Sequence, residues 1–171
     1  MAPLPEQERL TDLTTLASTP PWLDVFALSA CRFLIGTQSG PASVPQTFGL
    51  PVLVTNSTAM CLGPYLTNTL TLPKLARVKG STDPMGMREM VGLGLGSVDG
   101  YIPANLSNSD GGLQWRDNTP YEIAEATKEM LAEAYLDQPS APQREFEALA
   151  VSTGSHGVSR PCNSFLAEHW D

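Results

Sequence analysis

At 171 residues, 42% hydrophobic and only 16% charged, the chain has the size and composition of one folded domain and not of a disordered segment. Its net charge of −8 excludes the basic surface that non-specific nucleic-acid binding needs, yet leaves room for an anion held by backbone N–H groups at a helix start. Three scattered cysteines without a Cys-x-x-Cys pair, and two histidines, point to reduced thiols and argue against a zinc cluster.

No apolar run approaches the roughly 18 residues of a membrane span. Met1 to Leu10 carries Glu6 and Glu8 and lacks a signal-peptide core. Both observations predict a cytoplasmic protein, at most peripheral to the inner membrane. The sequons at Asn56 and Asn105 are then chance matches.

Residues 1–21 read as a polar lead-in, with a short helical turn within Thr11 to Ala17 and a stop at Pro20-Pro21. Residues 22–171 read as a single Rossmann-like domain, incomplete in its strands. Trp22, Leu23, Val25, Phe26 and Leu28 recur at near-helical spacing, which predicts a short, largely buried helix ending near Ala30. Arg32 to Ile35 predicts a strand, Gly36 to Pro41 a turn of small residues, and Ala42 to Phe48 a helix with Pro45 in its first turn. Pro51 to Thr55 predicts a second buried strand, and Val52 or Phe33 is expected beside an open sheet edge. This is a βαβ unit with a helix before it, so the fold class is α/β: a short parallel sheet flanked by helices.

Beyond Asn56 the pattern is weaker. Leu70 to Leu72 suggests a third strand stopped by Pro73, and Pro84 to Val91 a short helix. Gly92 to Gly112 and Ser152 to Pro161 read as loops. Thr119-Pro120-Tyr121-Glu122 is a capping box with Pro at the first helical position, opening a helix to about Tyr135. Gln143 to Val151 predicts a further helix, and Asn163 or Ser164 caps a last one running to Trp170.

The chemistry concentrates in Gly36-Thr37-Gln38-Ser39-Gly40-Pro41. A small-residue turn between a buried strand and a helix lets a ligand approach the backbone. The N–H groups at the helix start, from Gly40 to Ser43, then form a nest for a pyrophosphate. The plainer alternative is a turn that needs glycine only for its geometry. Glu89 is a candidate for accepting ribose or sugar hydroxyls, and Arg88 for neutralising a phosphate; Lys74 is a weaker candidate for the same task. For each, the alternative is an ordinary surface charge. The run Gly92-Leu93-Gly94-Leu95-Gly96 lacks the strand and helix that a dinucleotide fingerprint requires, and no Gly-x-Ser-x-Gly elbow is present. His156 sits in a predicted loop with no partner in the sequence pattern.

The stretch from Arg32 to Pro45, followed by Phe48-Gly49-Leu50-Pro51-Val52-Leu53-Val54-Thr55-Asn56, resembles a family of bacterial glycosyltransferases linked to surface-polysaccharide clusters. The shared shape is a hydrophobic strand, Gly-Thr-x-Ser-Gly-Pro, Phe-Gly-x-Pro, a second strand and Thr-Asn. The likeness extends to Trp22–Phe26, to Asn118-Thr119-Pro120 and to Ser164–His169. The turn is also distantly similar to the Ser-Gly-Pro-x-His turn of heptosyltransferases, enzymes of two-domain (GT-B) architecture, although Ser43 stands where their histidine would be and Gln38 where an acidic residue is usual.

The resemblance implies a C-terminal, donor-binding domain. Thr37, Ser39 and Gly40 would contact donor phosphates, within a set comprising Gly36, Gln38, Pro41 and Ser43, and Thr55 and Asn56 would line the same crevice. The nucleotide-sugar is substrate, and neither cofactor nor metal is expected. Implied partners are a glycan or other acceptor and either a missing N-terminal domain or a second copy that completes the sheet. The competing expectation is an inactive nucleotide-binding or assembly module.

Overall fold

The computed structural model describes residues 8–15, 18, 20–58, 68–95, 112–136, 138–153 and 159–171. It has the expected α/β architecture: a four-stranded parallel sheet flanked by helices, Rossmann-like in its layering. The strands are β1 (Leu34–Thr37), β2 (Val52–Ser57), β3 (Thr69–Pro73) and, after a long excursion, β6 (Arg160–Pro161), in spatial order β1-β2-β3-β6. Between β3 and β6 the chain forms a separate antiparallel pair, β4 (Leu75–Val78) with β5 (Leu113–Arg116).

Residue alternation explains the layers. Leu34 pairs in register with Val52 and Val54 with Thr71, so these side chains share one face of the sheet. There Val52 and Val54 form a small core with Ala42 of α2 (Gly40–Thr47), and Leu34 packs against it. Leu53 and Leu70, also in register, face the other way. They join Leu72 in a larger core closed by α3 (Met87–Gly92), α4 (Pro120–Leu131), α5 (Ala141–Ser152) and α6 (Asn163–His169). The Thr-Leu-Thr-Leu rhythm of β3 thus sends its leucines to the large core and Thr69 toward Gln46 of α2, whose amide donates to its hydroxyl at 3.4 Å.

Several expectations are corrected. Helix α1 (Trp22–Ala30) has the predicted span but no buried residue. It packs on α2, itself an outer layer, so its far face meets solvent: Trp22 is 62% and Phe26 58% exposed. Val52 is fully buried between β1 and β3; among the described strands the open edge beside it belongs to β1. Helix α2 begins at Gly40, two residues early, because extended Ser39 takes the N-cap place. Pro45 therefore lies in the second turn, where it cannot donate to the Pro41 carbonyl. Helix α4 stops at Leu131, short of Tyr135, since Glu133 adopts a left-handed φ of 58° before a 3₁₀ turn at Ala134–Leu136. The expected loop 152–161 ends in a strand, β6, too short to leave an apolar signature.

The predicted loop at 92–112 falls largely outside the described residues, as do His156 and Asn105. No helix among the described residues is long and apolar enough to cross a membrane.

Candidate functional site

At the carboxyl ends of β1, β2 and β3 lies an open cleft of about 370 Å³. Among the described residues it is lined by Thr37, Gln38, Asn56, Thr58, Lys74 and Asp117. This is where open α/β sheets place their ligands, because side chains leaving successive strand ends converge there.

Each lining residue sits on a strand end or just past it. Thr37 ends β1, and Gln38 accepts from the Thr58 hydroxyl at 3.4 Å. Asn56 and Thr58 bracket the end of β2. Lys74 is the single residue between β3 and β4; its N–H donates to the Ser57 carbonyl at 2.8 Å, which ties it to the end of β2. Asp117 follows β5, and its carboxylate meets the Lys74 amine at 2.6 Å.

Asn118 holds this floor together. Its carboxamide oxygen accepts from the Asn56 N–H at 2.6 Å, its own N–H donates to the Asn56 side chain at 2.7 Å, and its amide nitrogen donates to the Pro73 carbonyl at 2.8 Å. Three chain segments are thereby pinned at one buried residue. Asn56 sits at φ 51°, a left-handed conformation that asparagine tolerates better than most residues. The exchange with Asn118 fixes it there.

Behind Asn118 stands the start of α4. Thr119 and Glu122 form the predicted capping box, with the Glu122 N–H donating to the Thr119 hydroxyl at 3.2 Å and the Thr119 N–H to the Glu122 carboxylate at 2.6 Å. The same carboxylate takes two hydrogen bonds from the Arg116 guanidinium, at 2.6 and 3.1 Å, and contacts His169 Nε2 at 2.7 Å. Burial pushes the Glu122 carboxyl up, but the hydrogen bonds from Arg116, Thr119 and His169 outweigh it and hold it at about 2. Glu122 is therefore a fixed anion that holds Arg116 and Thr119, the residues on either side of Asp117 and Asn118.

The helix that follows β1 is built differently from α4 and α5, whose N-termini carry reciprocal capping boxes. The Ser39 side chain does not cap α2; its hydroxyl donates to the Thr37 carbonyl at 3.3 Å instead. Ser39 and Gly40 occupy the N-cap and first positions, whose N–H groups a helix leaves without an intrahelical acceptor. Pro41 has no N–H, and Ala42 donates to the Ser39 carbonyl at 3.1 Å. The donor-rich stretch is thus Ser39–Gly40, narrower than the predicted Gly40–Ser43. Neither Gly36 nor Gly40 has a positive φ, unlike Gly49, Gly80 and Gly94. A Cβ at Gly40 would meet nothing within 4 Å, and one at Gly36 only the Leu34 side chain at ordinary contact distance. Gly36 lies within β1 and not in the predicted turn, and neither glycine is required by its backbone conformation.

Of the predicted set, Thr37, Gln38 and Asn56 come together in the cleft. Ser39, Gly40, Pro41 and Ser43 lie exposed on the turn and first turn of α2 that follow. Thr55 is buried, and its hydroxyl donates to the Gly36 carbonyl at 3.2 Å, so this pair supports β1 against β2. Arg88 and Glu89 lie on α3 and are not among the residues lining the cleft. The Arg88 guanidinium is committed to Glu145 at 2.7 Å, to Asp171 at 3.0 Å and to the face of Trp170. Thr58, Asp117 and Asn118 carry a larger share of the site than the sequence suggested, as does Lys74. Their one signal was position: Lys74 directly after a strand-ending proline, Asp117 and Asn118 directly before a capping box.

Among the described residues, no group of three or more His, Cys, Asp or Glu side chains converges on a common point. No protein-family model matches the chain, and no curated protein or solved structure matches it either.

Proposed function

We propose that this chain is the donor-binding part of a glycosyltransferase and holds a nucleotide-sugar in the cleft at the ends of β1, β2 and β3. The observation that carries the reading is a strand-end cleft that holds a cationic side chain, Lys74, with the uncapped start of α2 at Ser39–Gly40 directly following its lining residue Gln38 in the chain. Diphosphates are bound by such combinations of a cation with exposed helix N–H groups. The polar lining from Thr37, Gln38, Asn56 and Thr58 suits hydroxyl-bearing groups. Stabilising the departing nucleotide is then the contribution of this region. The acceptor, a glycan in this reading, and the catalytic base come from an N-terminal domain or a second copy.

Titration calorimetry with UDP-, GDP-, ADP- and CMP-sugars tests the reading. At least one should bind, and its binding should fall at least about tenfold in Gly40→Val, whose side chain would occupy the open space at the helix start. If none binds, the donor site fails.

A second reading, an assembly module completed by a partner, is favoured by a separate observation. Trp22, Val25 and Phe26 on α1, and Ile35 on the edge strand β1, are large apolar side chains left exposed. The described strand order runs in one direction, and a strand that reversed it would pair on that β1 edge. Sedimentation of the purified chain reads this directly: self-association lost in Phe26→Ser supports a second copy as the partner.

A further inference from the structure

The Lys74–Asp117 pair lies across the cleft floor, and its two halves are unequally placed. The backbones on either side are locked: the Asn118 amide donates to the Pro73 carbonyl, and the Lys74 N–H to the Ser57 carbonyl. The contact between the side chains is not. The Asp117 side chain is 70% exposed and that of Lys74 25%. An ion pair exposed on one side is weakly held, and water or a ligand readily takes the place of either partner. The remaining lining residues, Thr37, Gln38, Asn56 and Thr58, are neutral. Among the described residues the cleft thus offers one cation and one anion, side by side and already satisfied by each other.

A ligand that carried only phosphate would win the lysine but leave the carboxylate facing its negative charge. A ligand that carried only hydroxyls would win the carboxylate but leave a partly buried ammonium without a counter-ion. Only a ligand with both groups a short distance apart replaces what each side chain gives up. We propose that Lys74 and Asp117 are an exchangeable pair that reads the two halves of one ligand: Lys74 moves to a phosphate oxygen while Asp117, released, accepts neighbouring sugar hydroxyls. A carboxylate accepts two such hydrogen bonds with good geometry. The inference rests on the donor-site reading above and deepens it, because it makes the ion pair a selector for sugar phosphates over bare phosphates.

The test uses the whole chain, two kinds of probe and two variants. The probes are inorganic pyrophosphate and the UDP-, GDP-, ADP- and CMP-sugars, measured by titration calorimetry. Lys74→Gln should weaken both kinds by about tenfold or more, since both need the cation. Asp117→Asn should act with opposite signs. Pyrophosphate should bind about threefold or more tightly, because its competitor for Lys74 is gone, whereas the nucleotide-sugar should bind about threefold or more weakly, because a carboxamide replaces the hydroxyl acceptor. Unchanged melting temperatures for the unliganded variants show that the floor is intact.

Tightening of both probes by Asp117→Asn would reduce Asp117 to a repelling charge, and equal weakening of both would make it a structural prop; either overturns the exchange. So does a Lys74→Gln variant that binds like the parent chain. In all three results a nucleotide-sugar still binds the parent chain, so the donor site survives. If no nucleotide-sugar binds the parent chain, the donor site and the exchange fail together.

Discussion

The two faces of the sheet are built to different standards. On one, α3 to α6 cover Leu53, Leu70 and Leu72 with a core that includes Met87, Met90, Phe146, Phe165 and Leu166. Polar groups lock its rim: Glu122 to Arg116, Thr119 and His169, and Glu129 to the N–H groups of Asn163 and Ser164 at 2.9 and 2.6 Å. On the other, α2 covers Val52 and Val54 through Ala42, and α1 lies outside it with its aromatic side chains in water. Ordinary hydrophobic burial accounts for the first face. The second is thinner, and its outer surface leaves Trp22, Val25 and Phe26 exposed. The cleft lies between these regimes, with Asn118 reaching from the well-packed side to Asn56 at the end of β2.

Truncating one aromatic on each face gives the widest contrast. Phe165, 2% exposed and tilted against His169 with ring centroids 4.6 Å apart, should cost about 3–5 kcal/mol as Phe165→Ala in urea denaturation. If that substitution were near neutral, the large core would not be where the stability lies. Next in size is Asn118→Ala. Loss of the two hydrogen bonds that its buried side chain makes, to the Asn56 N–H and the Pro73 carbonyl, should cost about 2–3 kcal/mol and weaken nucleotide-sugar binding with it, which calorimetry on the folded variant would show.

Acid probes the polar rim more gently. The Glu122 carboxyl titrates at about 2 in the folded chain, below its ordinary value of 4.5. A depressed carboxyl contributes stability that is fully present above 4.5 and is lost as pH falls toward 2. The chain should therefore lose about 2 kcal/mol across that window, after screening at the rim of the network. Glu122→Gln should flatten that part of the profile, and an unchanged profile would remove Glu122 from its cause. The smallest effect belongs to the thin face: Phe26→Ser should change monomer stability by no more than about 0.5 kcal/mol, because the ring is already in water.

The fold was legible where side chains alternate or cap. The β2 run Val52-Leu53-Val54, the order strand, turn, helix from β1 to α2 and the Thr119–Glu122 box could be read from residue type because each depends on neighbours in the chain, although β1 runs from Leu34 to Thr37, two residues later than the predicted Arg32–Ile35, and takes in Gly36. What escaped depends on distant segments. The strand Arg160–Pro161 exists only because β3 offers it an edge, and its two residues carry no period. Helix α1 has a buried helix's composition, but burial is decided by what lies opposite, which spacing does not encode. The site divides in the same way. Thr37, Gln38 and Asn56 follow from the strand-turn-helix pattern. The sequence marks Lys74 as a weaker phosphate candidate, but Asp117 and Asn118 escaped: they come to it through the β3–β4 junction and the β5–α4 turn, joined across 45 residues by one hydrogen bond. Arg88 looked available for a phosphate only until its partners on α5 and at the C-terminus came into view.

The central claim is that the cleft and the open start of α2 hold a nucleotide-sugar, and a thermal-shift measurement tests it most directly. A Cβ at Gly40 meets nothing within 4 Å, so Gly40→Val should fold, and its unliganded melting temperature is the baseline for its own shift. With UDP-, GDP-, ADP- or CMP-sugar at about 100 times Kd, at least one ligand should raise the parent's melting temperature by about 5 °C or more. The same ligand concentration should shift Gly40→Val by about half as much or less. No shift with any of the four, or an equal shift in Gly40→Val, would contradict the account.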